Sequence, residues 1–130
     1  MPTNQQEGRN AERLIEQYLQ SQGLHVWRTK ATSLTKAERY KKRPDIGDLD
    51  GMDDWAIEVK SMGQNRLGAA MDQVAEARLV KGAPWSVLFL RRKLHNPARW
   101  YAVTEAEQWV ATARLLDETG PCEQCGGGAA

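Results

Sequence analysis

The chain has 130 residues, of which 41% are hydrophobic and 27% charged, with a net charge of +1. This composition suits one soluble domain with its own core and excludes a disordered polyelectrolyte. No apolar run reaches the ~20 residues of a membrane span, the first residues lack a signal-peptide core, and Cys122 and Cys125 share one tail; a cytoplasmic protein without a disulfide framework is expected.

Arg9 to Gln22 reads as an amphipathic helix. Ala11, Leu14, Ile15, Tyr18 and Leu19 recur at helical spacing, and Gly23 supplies the stop. His25 to Thr29 reads as a short strand with Val26 and Trp27 as its bulk. Residues 30–44 show no period and read as a mobile basic loop. Asp45 to Asp50 and Trp55 to Ser61 read as two strands joined by the polar turn Gly51–Asp54, a hairpin. Leu67 to Lys81 is a second helix, with Ala70, Met71, Val74, Ala75 and Ala77 towards the core, ended by Gly82 and Pro84. Trp85 to Leu90 is nearly all apolar, as a strand buried on both faces would be. Arg99 to Val103 is its neighbour, reached through the turn Asn96-Pro97. Thr104 and Glu107 have capping-box spacing, and the helix they open carries Ala106, Trp109, Val110, Ala113 and Leu116. The expected fold is α/β, a mixed central sheet flanked by helices in the order α-β-β-β-α-β-β-α. Residues 1–117 form the single domain, and 118–130 a flexible Gly-rich tail.

The charges are segregated. Lys30 to Pro44 holds six bases (Lys30, Lys36, Arg39, Lys41, Lys42, Arg43) and one acid, whereas Asp45 to Glu58 holds six acids and no base. The basic block suits phosphates, and the acidic block suits a cation. Along the strand, Glu58 and Lys60 lie two apart and share a face, while Ile57 and Val59 turn into the core. A three-residue turn sets Asp48 opposite Ala56 and diagonal to Glu58. Two carboxylates brought together repel unless a hard divalent ion lies between them, and Mg²⁺ is held by one or two carboxylates. Asp48, Glu58 and the Val59 carbonyl are the candidate ligands, with Mn²⁺ as a substitute ion. Lys60 is the candidate for orienting an attacking water, and in-line hydrolysis of a phosphodiester is the chemistry such a set performs.

This arrangement resembles the PD-(D/E)XK nuclease superfamily, through Pro44-Asp45 or Gly47-Asp48 followed by Glu58-Val59-Lys60. The first acid is Asp48 by its place in the hairpin, with Asp45 the alternative because it follows proline; Asp50, Asp53 and Asp54 are read as solvated turn residues. Within the superfamily the chain looks most like small archaeal- and phage-type Holliday junction resolvases, over roughly Gly8 to Leu116. The resemblance implies a restriction-endonuclease-like core and a further catalytic acid, Glu12, on the first helix. It also implies a Mg²⁺-dependent endonuclease acting on branched DNA as a homodimer. Nuclease action on duplex or single-stranded DNA, and a non-catalytic DNA-binding module, are the alternatives. Arg91, Arg92 and Lys93 form a second DNA-binding patch, and Ser61 and Gln73 are candidate site contacts. His25 and His95 are read as neither ligands nor bases, the tryptophans as core or interface. Cys122 and Cys125 form half of a zinc knuckle with no second pair.

Overall fold

The computed structural model describes residues 3–29, 46–61 and 66–119. The first helix, α1 (Asn4–Ser21), begins earlier than its apolar stripe. Thr3 caps it: its hydroxyl accepts from the Gln6 amide at 3.2 Å, and the Gln6 side chain accepts from the Thr3 amide at 2.9 Å. The strands are β1 (Trp27–Arg28), β2 (Leu49–Asp50), β3 (Trp55–Lys60), β4 (Trp85–Leu90) and β5 (Tyr101–Val103). Helix α2 (Leu67–Lys81) joins β3 to β4, a 3₁₀ turn (Pro97–Arg99) precedes β5, and α3 (Ala106–Thr119) follows it. Helix α3 thus continues to Thr119, into the stretch expected as tail.

The described residues form an α/β fold with a mixed five-stranded sheet in the order β1-β2-β3-β4-β5. Only β3 and β4 run parallel, with α2 as the crossover that parallel strands require. On one face, Ile57 and Val59 meet Ala11, Ile15 and Leu19 of α1, together with Leu49, Val26 and Trp100. On the other, Leu88 packs against Ala70 and Val74 of α2. Ala56 to Val59 are therefore all buried, Glu58 among them.

Four local expectations are corrected. Trp27 is 40% exposed, and Val26 alone anchors the first strand in the core. Leu49 pairs with Ile57, so the β2–β3 register places Asp48 beside Glu58 rather than opposite Ala56. The cause is a longer turn: the Trp55 amide reaches the Met52 carbonyl at 3.0 Å. The two-residue shift leaves Asp48 on its expected face, as a one-residue slip would not. Thr104 caps nothing. Its hydroxyl donates to the Ser86 carbonyl at 2.9 Å, and α3 starts at Ala106. The apolar residues of α3 also turn outward, with Trp109 at 64% and Leu116 at 70% exposure. That helix is tied down by a polar clasp instead: the Ser86 amide donates to Gln108 Oε1 at 2.6 Å, and Gln108 Nε2 to Ser86 Oγ at 3.0 Å.

Asp50 is likewise more than a turn residue. Lys81, at the end of α2, has a side chain only 9% exposed and lies 3.5 Å from Asp50. Its Nζ donates to the Met52 carbonyl at 3.0 Å and the Trp55 carbonyl at 2.7 Å, locking the hairpin turn onto the helix. Replacing Lys81 by alanine strands both carbonyls. We expect Lys81→Ala to lose about 2 kcal/mol of stability in urea denaturation, with a native-like circular dichroism spectrum; a loss within error would show that solvent reaches these groups.

Candidate functional site

The chain leaves regular pairing at Gly47, whose φ is +106° and whose missing side chain lets its backbone lie against β3; a Cβ there would sit 2.6 Å from the Ile57 carbonyl oxygen. Asp48 follows. Its amide donates to the Ile57 carbonyl at 2.8 Å. Its carboxylate Oδ2 then accepts from the Val59 amide at 2.8 Å, so a side chain occupies the place of the next backbone acceptor. From the other side, the Thr29 amide reaches the Asp48 carbonyl at 3.0 Å and the Thr29 hydroxyl the Gly47 carbonyl at 2.7 Å. Asp48 is thus held between β1 and β3.

Peptide groups alternate along β3. The Lys60 carbonyl faces β4, where it accepts from the Arg91 amide at 2.8 Å, and the Val59 peptide faces β2 and the Asp48 carboxylate. Glu58, 1% exposed, shares its side of β3 with Lys60 and lies in register with Leu88. Glu12 of α1 is partly buried. Burial raises its pKa, and the nearby charge of Asp48 raises it further, while Arg28, Lys60 and Arg9 pull it down. Glu12, Asp48 and Lys60 therefore share one electrostatic neighbourhood, two acids and a base from α1, the segment before β2 and β3.

Arg28 is a member of this neighbourhood that the sequence reading missed. The Glu16 carboxylate accepts from the Arg28 amide at 2.8 Å and lies 3.3 Å from its Nε, which turns the guanidinium beside Glu12's helix. Glu16 lies one turn beyond Glu12, and the spacing Glu12–Glu16 was the available signal.

Arg91, Arg92 and Lys93 leave the end of β4 beside Lys60. Arg91 lies over the Trp100 ring at 5.7 Å and Arg92 over the Tyr101 ring at 4.9 Å. Lys93 lies 3.8 Å from Glu7 of α1. Among the described residues, neither Ser61 nor Gln73 hydrogen-bonds to Glu12, Asp48 or Glu58, and no three His, Cys, Asp or Glu side chains gather as a metal-binding group. Asp45, the basic residues Lys30, Lys36, Arg39, Lys41, Lys42 and Arg43, and the Cys122–Cys125 pair lie outside the described residues. No described helix is long and apolar enough to cross a membrane.

Because the folded state favours protonated Glu12, its ionisation opposes folding. The native state gains from this group at pH below the ordinary carboxylate range and loses that gain as pH rises through the raised value. Glu12→Gln is therefore expected to melt higher than the parent at neutral pH, with the difference vanishing under acid. A lower melting temperature at neutral pH would show that the arginine and lysine charges dominate instead.

Neither a family model, nor a curated protein, nor a solved structure matches this chain.

Proposed function

We propose that this chain is a metal-dependent endonuclease with a restriction-endonuclease-like core, and that it cleaves branched DNA as a Holliday junction resolvase. The observation that carries the reading is the Asp48–Val59 hydrogen bond of 2.8 Å. It ties the first acid to the middle residue of Glu58-Val59-Lys60, the register a D…E-x-K site requires. Glu12 and Lys60 in the same electrostatic field add the helix acid and the base.

The donor set fits a hard cation. Asp48 offers a second carboxylate oxygen, Glu58 a buried carboxyl and Val59 a carbonyl on the Asp48 side, all oxygens of the kind Mg²⁺ or Mn²⁺ selects. When bound, such an ion neutralises charge on the phosphodiester and makes water acidic enough to attack. The remaining work belongs to side chains. Lys60 orients the attacking water and stabilises the charge that builds on the phosphate oxygens. Glu12 adds a second acid to the field around Asp48 and Lys60. Arg91, Arg92 and Lys93 hold backbone phosphates beside Lys60, and the basic block of Lys30 to Arg43 extends that hold.

Resolving a four-way junction takes two symmetric nicks, which a twofold dimer supplies. Helix α3 supports a homodimer. Trp109, Val110, Leu115 and Leu116 are exposed on it, and the Gln108–Ser86 clasp leaves that apolar surface outward. The double variant Trp109→Glu with Leu116→Glu is expected to sediment as a monomer while keeping its fold. An unchanged dimer would place the interface elsewhere.

The primary test is cleavage in Mg²⁺ of a synthetic four-way junction beside a linear duplex of the same sequence. Paired symmetric nicks confined to the junction are expected. Glu58→Ala should abolish them and keep DNA binding, and Lys60→Ala should slow them by about 10²-fold or more. Equal cutting of both substrates would retain the nuclease and remove branch selectivity. Folded protein that binds DNA and cuts neither would overturn the enzymatic reading in favour of a binding module.

A further inference from the structure

The turn after β4 carries an anomaly that the cleavage site does not use. Leu94 has a φ of +64°, the one non-glycine residue in that region among those described. Its side chain is fully exposed, at 104% of the reference area. Left-handed backbone is costly for a residue with a Cβ, and an apolar side chain in water gains nothing from burial. A glycine would adopt this backbone freely. Both costs therefore fall on one residue, whose side chain none of the described residues covers.

The turn is built rather than loose. The His95 amide donates to the Arg92 carbonyl at 3.2 Å, and His95 Nδ1 lies 2.9 Å from the Lys93 carbonyl. Trp100 Nε1 donates to the His95 carbonyl at 3.1 Å, and Arg92 to the Arg99 carbonyl at 3.1 Å. The Asn96 side chain caps the 3₁₀ turn through the Ala98 amide at 3.0 Å. The Trp100 and Tyr101 rings hold Arg91 and Arg92 from below. Strain that surrounding structure holds in place is a mark of a functional position.

The surroundings define the partner. Leu94 follows Arg91, Arg92 and Lys93 and precedes His95 in the turn, and the Arg91 amide donates to the carbonyl of Lys60 at 2.8 Å. An isolated apolar tip on a rigid cationic turn matches nucleic acid, in which phosphates lie beside the flat faces of bases. We infer that Leu94 is a wedge that enters an open base step at the branch point of DNA held across Lys60. The inference rests on the nuclease reading and adds to it the feature of the substrate that is read.

The test places 2-aminopurine next to the branch point of a four-way junction, with the full chain in EDTA to stop cleavage. On saturation with the parent protein the probe's fluorescence should rise, since the base is unstacked, and Leu94→Phe should preserve the rise. Leu94→Gly should remove it and weaken junction binding about ten-fold, with duplex binding unchanged. Its melting temperature should be equal or higher, because the backbone strain is relieved. An equal rise with Leu94→Gly at matched occupancy would overturn the wedge. So would a parent protein that binds and cuts junctions with no rise, and that outcome would leave the nuclease standing. A parent that neither binds nor cuts DNA would remove the nuclease reading, and the wedge with it.

Discussion

The Asp48 carboxylate stands in for a backbone carbonyl. Strand β2 is only Leu49–Asp50, so β3 runs on beyond the reach of its neighbour's main chain. A buried strand cannot leave its amides unpaired. The Val59 amide is met by the Asp48 side chain at 2.8 Å, and this is possible because Gly47 brings the chain against Ile57. One hydrogen bond thus completes the sheet and sets the position of an acid relative to Glu58 and Lys60. The second carboxylate oxygen is the one that the proposed cation would take. Structure and proposed function share the same side chain, and neither can be altered alone.

Around that bond, the fold is secured by buried polar clasps as much as by apolar contact. Lys81 holds the hairpin turn through the Met52 and Trp55 carbonyls, and Gln108 holds α3 through Ser86. Such groups contribute when satisfied and are costly when stranded, so they specify one arrangement over near alternatives. The Gln108 clasp also accounts for the outward apolar surface of α3. The helix is attached by its first turn, and its outward apolar length is the surface on which the proposed homodimer rests.

The site concentrates opposed charges at one end of the parallel pair β3–β4. Glu12 is pushed towards its neutral form by burial and by Asp48, against the pull of Arg28, Lys60 and Arg9. An arrangement that works against its own folding suits the cation- and phosphate-binding centre proposed above, where a ligand would supply the missing charge. Arg91, Arg92 and Lys93 border it, anchored on aromatic rings and on Glu7. The strained Leu94 extends this border beyond the acids.

Local pattern determined much of this molecule. The bounds of α2 and β4, Leu67–Lys81 and Trp85–Leu90, follow from helical spacing and from a continuous apolar run. The alternation Ile57-Glu58-Val59-Lys60 placed the acid and the lysine on one side of a strand, because side-chain direction there depends on the backbone alone. The cap of α1 was legible too, in the Thr3–Gln6 spacing, which the apolar stripe obscured. Tertiary structure decided the rest. Arg28 joins the site only because Glu16, distant along the chain, folds onto it. The β2–β3 register turned on the length of one turn. The apolar face of α3 lies outward while Gln108 is turned to Ser86, and no periodicity can say which side of an amphipathic helix the sheet will accept. Sequence determines which residues share a face; packing decides what that face meets.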